Sequence, residues 1–100
     1  MSSSISGKIK TVEELGRILS LMKADKRRIV HCHGVFDLLH PGHIRHLLAA
    51  REQGDVLAVT ITADRFVNKG PGRPAFNQIL RAETLASIAC VDFVAVNDTP

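Results

Sequence analysis

Tryptophan and tyrosine are both absent from the 100 residues, and phenylalanine occurs only four times. Proteins that hold single-stranded nucleic acid stack its bases on aromatic side chains, so that function class lacks its main device here. Cysteine is scarce as well. Cys32 and Cys90 stand in apolar stretches with no CxxC spacing, and they read as two buried free thiols of a reducing compartment rather than a disulfide or redox pair. No run approaches the roughly eighteen apolar residues of a membrane span. The start, Met1-Ser2-Ser3-Ser4-Ile5-Ser6-Gly7, lacks the apolar stretch of a secretory signal. The expectation is a cytoplasmic protein with no membrane partner, with residues 1–8 forming a disordered end. Charge is also in short supply: 13 Lys and Arg against 10 Asp and Glu leave a net +3. The basic residues are spread over four segments instead of forming one patch, which favours a small polyanion over a specific nucleic acid as partner.

One hundred residues suffice for one domain with a modest core and not for two. Thr11-Val12-Glu13-Glu14 has the form of a capping box, and Val12, Leu15, Ile18, Leu19 and Met22 then recur on one face, predicting a first helix. Residues 28–32 are short and β-branched and predict a strand. Ile44, Leu47, Leu48 and Arg51 recur at helical spacing, and Gln53-Gly54-Asp55 stops that helix at a glycine. Residues 56–62 are almost continuously apolar, as in a strand covered on both faces. Asn68-Lys69-Gly70-Pro71-Gly72-Arg73-Pro74 carries two prolines and two glycines, so it is a loop that presents Lys69 and Arg73. Ile79, Leu80, Leu85, Ala86, Ile88 and Ala89 predict a third helix, and residues 91–96 a third strand. Strands alternating with helices imply an α/β fold, a Rossmann-like three-layer sandwich on a parallel sheet. Ligands of such sheets sit beyond the carboxyl ends of the strands, where the loop after residue 32 and the loop of Lys69 and Arg73 both fall.

The segment Gly34-Val35-Phe36-Asp37-Leu38-Leu39-His40-Pro41-Gly42-His43 joins the first strand to the second helix. The first turn of a helix has backbone N–H groups without intrahelical partners and the positive end of the helix dipole, so it attracts phosphate. Pro41 suits that first turn, and Gly42 has no Cβ to keep a triphosphate away. His40 and His43, three apart, face one side and can donate to the same oxygens. The plainer roles for both are helix capping and packing. His31, Cys32, His33, His40 and His43 are all zinc-ligand types, but no second Cys/His pair completes a tetrahedral set, so His31 reads as a buried, hydrogen-bonded residue and no metal ligand is expected from the side chains. His33 either touches a ligand or packs. Asp64 either meets a ligand or caps the next turn, and Arg81 is either a ligand contact or the partner in an exposed ion pair.

Gly34-x-Phe36-Asp37-x-x-His40-x-Gly42-His43 resembles the signature of the cytidylyltransferase-like nucleotidyltransferases. Lys69-Gly70-x-x-Arg73-Pro74 and Arg81 extend the resemblance toward domains that adenylylate heptose 1-phosphate. The resemblance implies that His40, His43 and Lys69 are catalytic and that Gly34, Val35, Phe36, Asp37, Gly42, Arg73 and Arg81 bind the nucleotide. The implied reaction is attack by the phosphate of a sugar phosphate on the α-phosphorus of ATP, with pyrophosphate leaving and Mg²⁺ arriving with the nucleotide. CTP with a glycerol- or ethanolamine-phosphate acceptor is the neighbouring alternative. A nucleotide-binding module without catalysis, attached to a sugar kinase, is the alternative of another class. The family's second signature, Ile-Ser-Ser or Ile-Ser-Thr, has no counterpart here. Residues 9–100 are therefore expected to be the N-terminal portion of the domain, with an open sheet edge that favours a homodimer.

Overall fold

A computed structural model describes residues 5–67 and 70–99. The expected catalytic Lys69 lies outside the described residues, as do residues 1–4. Residues 5–8 were expected to belong to the disordered end, yet Ile5 packs on the core and Lys8 donates from Nζ to the Ile88 carbonyl at 3.2 Å.

The chain runs β1 (Ile9–Lys10), α1 (Val12–Ala24), β2 (Ile29–Gly34), α2 (Pro41–Arg51), β3 (Val56–Thr62), a 3₁₀ turn (Asp64–Phe66), α3 (Gln78–Ala86) and β4 (Phe93–Asn97). All four strands are parallel, in the order β1-β4-β3-β2. Strand β1 was not anticipated, because two residues carry no periodicity. It is found by its register, Ile9 opposite Val94 and Lys10 opposite Ala95. Strand β4 starts two residues later than expected. Asp92 just before it exchanges both backbone hydrogen-bonding groups of Leu57, donating from its N–H at 2.9 Å and accepting at its carboxylate at 2.8 Å.

The three layers are present. On one face of the sheet Leu47 of α2 and Leu85 of α3 pack with Leu57, Val59, Ile61 and Val94, and on the other Leu15 of α1 packs with Ala58 and Ala95. Strand β3 is buried on both faces as its sequence predicts, and truncating Leu57 or Ile61 to Ala there costs roughly 2–5 kcal/mol. Helix α1 begins with the expected capping box, Thr11 Oγ1 accepting from the Glu14 N–H at 3.0 Å and Glu14 Oε1 accepting from the Thr11 N–H at 2.9 Å.

Two helical faces differ from expectation. In α2 only Leu47 is buried, with Ile44 and Leu48 exposed; in α3 the buried face is Arg81, Ala82, Leu85 and Ala86, with Ile79 and Leu80 outside. Helix α3 also ends at Ala86 and leaves Ile88 and Ala89 in the following turn. Strand β2 has β3 as its sole neighbour among the described strands. Helix α1 covers β3 and β4 through Leu15, and His31 and His33 on that side of β2 are exposed. The expectation that His31 is buried is therefore overturned. Cys32 and Cys90 are free but only half-buried, which corrects their reading as buried thiols. Partial burial still raises both thiol pKa values. No helix is long and apolar enough to cross a membrane among the described residues.

Candidate functional site

The carboxyl ends of β2 and β3 open into the two loops singled out by sequence, and α2 starts where the first of them ends. Pro41 occupies the first turn of α2 behind the N-cap His40. His40 Nδ1 accepts the Gly42 N–H at 3.0 Å, while His43 Nδ1 accepts the His40 N–H at 3.2 Å. The two imidazoles form a capping box made of histidines, with centroids 4.0 Å apart. This modifies the expected anion site in one respect. The Gly42 N–H is taken by the ring of His40 and is not offered to a ligand. The capping role and the donor role are compatible, because a ring nitrogen that accepts an N–H carries no proton, so each neutral ring has its proton on Nε2. Capping thus fixes the tautomer, and the positive end of α2 lies behind both rings.

Gly42 is required by this arrangement, since a Cβ on it would stand 2.7 Å from His40 Cε1 and 3.0 Å from its Nδ1. Phe36 sits in the left-handed region at φ 51, an uncommon conformation for a bulky residue. It lays its ring edge-on to His43 at 5.7 Å. A Cβ on Gly34 would meet the same Phe36 ring at 2.9 Å.

Asp37 joins the two loops. Its carboxylate accepts from Arg73 Nη1 at 2.8 Å and from the Phe76 N–H at 3.1 Å. The backbone N–H of Ala75 most of all, then the guanidinium of Arg73 and the Phe76 N–H, outweigh desolvation and lower its pKa from 3.8 to about 2. Arg73, expected at the nucleotide, is therefore paired with Asp37 while its side chain keeps 37% of its surface exposed.

Arg81 is not the exposed ion-pair partner that the sequence allowed. It is 2% exposed. Its guanidinium donates to the carbonyls of Val35 (2.9 Å), Thr62 (2.8 Å) and Phe76 (3.0 Å) and to Asp64 Oδ1 (2.7 Å). A buried arginine is tolerable because nearly every donor finds an acceptor. It pins the histidine loop, the end of β3 and the second loop together from beneath. Val35, expected to bind nucleotide, is one of the points so held, and Asp64 serves this clamp.

A cleft of about 890 Å³ opens beside β2, with Gly34, Val35, Phe36, Asp37, His43 and Arg73 among its lining residues. His40 and Gly42 stand outside that lining, on the exposed start of α2. The cleft also takes in His31 and His33, whose neighbour Thr60 went unnoticed in the sequence. Thr60 Oγ1 lies 2.7 Å from His31 Nε2 and 2.7 Å from His33 Nδ1. The signal that could have found it is alternation, which puts residues 31 and 33 on one face of β2 and residue 60 on the same face of β3. Among the described residues no group of three or more His, Cys, Asp or Glu is placed to hold a metal ion.

The sequence model of the Cytidylyltransferase-like family matches residues 31–99. The chain belongs to that family. The cytidylyltransferase-like chain is also 40% identical over 97 residues to the bifunctional protein HldE of Trichlorobacter lovleyi, covering 93% of this chain and 20% of that protein. The HldE of Geobacter metallireducens is 39% identical over 102 residues, with coverages of 98% and 21%. That of Campylobacter concisus is 42% identical over 97 residues, with coverages of 93% and 20%. The chain thus spans about a fifth of the length of these curated relatives. Among solved structures, a lipopolysaccharide core biosynthesis protein from Thermoplasma volcanium superimposes with a TM-score of 0.67 at 29% identity, over 72% of this chain and 59% of that one.

Proposed function

We propose that this chain carries the nucleotide-binding part of a nucleotidyltransferase that moves AMP from ATP to the phosphate of a sugar phosphate and releases pyrophosphate. The observation that carries the reading is the histidine capping box, which leaves both neutral rings with Nε2 as their proton-bearing nitrogen at the positive end of a helix. Family membership and the similarity to bifunctional HldE proteins support it.

In this mechanism an oxygen of the acceptor phosphate forms a bond to the α-phosphorus, and the bond from that phosphorus to the bridging oxygen of the β-phosphate breaks. The electron pair leaves with pyrophosphate. The acceptor oxygen is already ionised near neutrality, so no general base and no covalent intermediate are needed. His40 and His43 donate from Nε2 to oxygens on which negative charge grows, and preorganised donors of this kind are worth about 2.7–4 kcal/mol each when removed. Arg73, and Lys69 four residues before it in sequence, add cationic charge for the phosphates. Asp37, the carboxylate in the cleft, is bound to Arg73 and to backbone N–H groups, and no metal-ligand group surrounds it among the described residues. Mg²⁺ would arrive with the triphosphate, held by its phosphate oxygens and water, and would neutralise phosphate charge.

The preference for ATP over CTP rests on the resemblance of the loop from Lys69 to Pro74. The word bifunctional in the relatives' name agrees with a second catalytic unit on the same polypeptide, a sugar kinase by the same resemblance. Pyrophosphate release by the complete native protein, assayed with ATP and with CTP across sugar phosphates and glycerol and ethanolamine phosphates, tests the reading. ATP-dependent release with a sugar phosphate is the expected result. Release with CTP alone would reassign the donor, and nucleotide binding without release from any acceptor would make the chain a binding module.

A further inference from the structure

The cleft beside β2 contains a polar cluster that the transferase chemistry leaves unused. His31 and His33 point to the same face of β2, and Thr60 of β3 stands between them, each ring having one nitrogen 2.7 Å from Thr60 Oγ1. Both rings are exposed and line the cleft that also holds His43 and Arg73. Both rings lie on the side of the sheet that α1 packs against, and they remain exposed to the cleft.

The Thr60 hydroxyl has one proton, and both of its side-chain partners among the described residues are imidazoles. When that proton goes to one of the rings, the other ring donates to the hydroxyl oxygen. If His31 donates from Nε2, its Nδ1 is bare, and His33, accepting at Nδ1, carries its proton on Nε2. If His33 donates from Nδ1, the assignment reverses. In either state the outward nitrogens, His31 Nδ1 and His33 Nε2, present one donor and one acceptor. The second outward nitrogen has only a long contact of 3.4 Å to Thr62 Oγ1.

We propose that His31, Thr60 and His33 form a binding site for two neighbouring hydroxyls of a sugar. A hydroxyl both donates and accepts, so a vicinal diol matches a donor–acceptor pair in either tautomeric state. A phosphate dianion does not, because it needs two donors at once. A metal ion fits no better: two imidazoles lack a third ligand among the described residues, and their facing nitrogens are held by Thr60. The diol has two sources if the transferase reading holds, the ribose of the nucleotide or the acceptor sugar. That reading bears on the source and on why the diol lies beside the histidine turn.

Ring Cε1–H resonances of the five histidines, assigned in the complete native protein by single His→Gln variants, report the site directly. The probes are ATP, 2′-deoxy-ATP and 2′,3′-dideoxy-ATP with Mg²⁺, a sugar phosphate with adjacent hydroxyls, its deoxy analogue, and inorganic phosphate. The His31 and His33 signals are expected to move with either ATP or the sugar phosphate. The diol ligand should bind about tenfold more weakly to Thr60→Val, the size of one or two hydrogen bonds. Removing a hydroxyl from that ligand should cost wild type the same factor and cost Thr60→Val nothing. His33→Gln, which keeps a polar side chain, should weaken binding in the same way if Thr60→Val folds poorly. Equal affinity of wild type and both variants, or a shift of His31 and His33 by inorganic phosphate alone, would overturn the proposal. Silence of both rings with every sugar ligand would overturn it too, even where His43 responds to ATP. Response of both rings without pyrophosphate release from any acceptor would sustain it and overturn the transferase reading instead.

Discussion

The imidazole of His43 accepts the backbone N–H of His40, and the imidazole of His40 in turn accepts the N–H of Gly42, so each ring spends Nδ1 on the helix and keeps its proton on Nε2. The helix start and the donor set are one structure. This separates stability from activity by substitution. Asparagine caps helices well, so His40→Asn should keep the melting transition within about 1 kcal/mol of wild type while removing an Nε2 donor. Pyrophosphate release should drop about 10²- to 10³-fold. Thermal denaturation and the release rate, measured on the same preparation, check it; an undiminished rate would remove His40 from the reaction.

Arg81 reaches the carbonyl of Val35 across 46 residues of sequence. Replacing it with Met fills most of the space but strips three carbonyls and Asp64 of their donor. Breaking such a buried set costs about 3–5 kcal/mol, a large share of the roughly 5–15 kcal/mol that holds a domain together. Arg81→Lys keeps the charge but not the planar fork, so its loss should be smaller yet measurable. Urea denaturation orders the three proteins, and a wild-type midpoint for Arg81→Met would show that the clamp carries no stability.

What the sequence made legible was local. The capping box of Thr11 and Glu14, the β3 run and the His40-Pro41-Gly42-His43 turn are each written in a few consecutive residues, and each stands where expected. The misread features depend on distant partners. Arg81 looks like a surface residue because its acceptors lie at positions 35, 62, 64 and 76, which meet only once the sheet has formed. His31 reads as buried because no second Cys/His pair makes it a metal ligand, whereas its exposure depends on what the rest of the fold lays over that face of β2. Strand β1 exists only because β4 offers an edge to it.

The carboxylate of Asp37 has its pKa lowered to about 2 from 3.8. A group with a lowered folded-state pKa stabilises the fold above its unfolded value and loses that contribution as pH falls through the folded one. The tie between the two loops should therefore be intact at neutral pH and be lost between about pH 4 and about pH 2. Asp37→Asn, which cannot titrate, should be less stable than wild type at neutral pH and should show a flatter acid limb. Unfolding midpoints across this range check the sign, and parallel curves for the two proteins would mean that the tie contributes nothing.

Gly42→Ala sets two effects against each other. Within a helix, alanine is favoured over glycine by about 0.8–1 kcal/mol, and the backbone of Gly42 is not left-handed, so the substitution brings no strain of its own. Its Cβ, however, would stand 2.7 Å from His40 Cε1. The His40 ring must swing away, which releases the Gly42 N–H and costs a cap worth about 0.5–2 kcal/mol. The two terms nearly cancel, so the melting temperature should hardly move. The displaced ring no longer holds its Nε2 at the helix start, and activity should fall as far as in His40→Asn. An active Gly42→Ala protein would mean that the His40 pose is dispensable, and a strongly destabilised one that the cap outweighs helix propensity. Thermal melts and pyrophosphate release, measured together, distinguish the three.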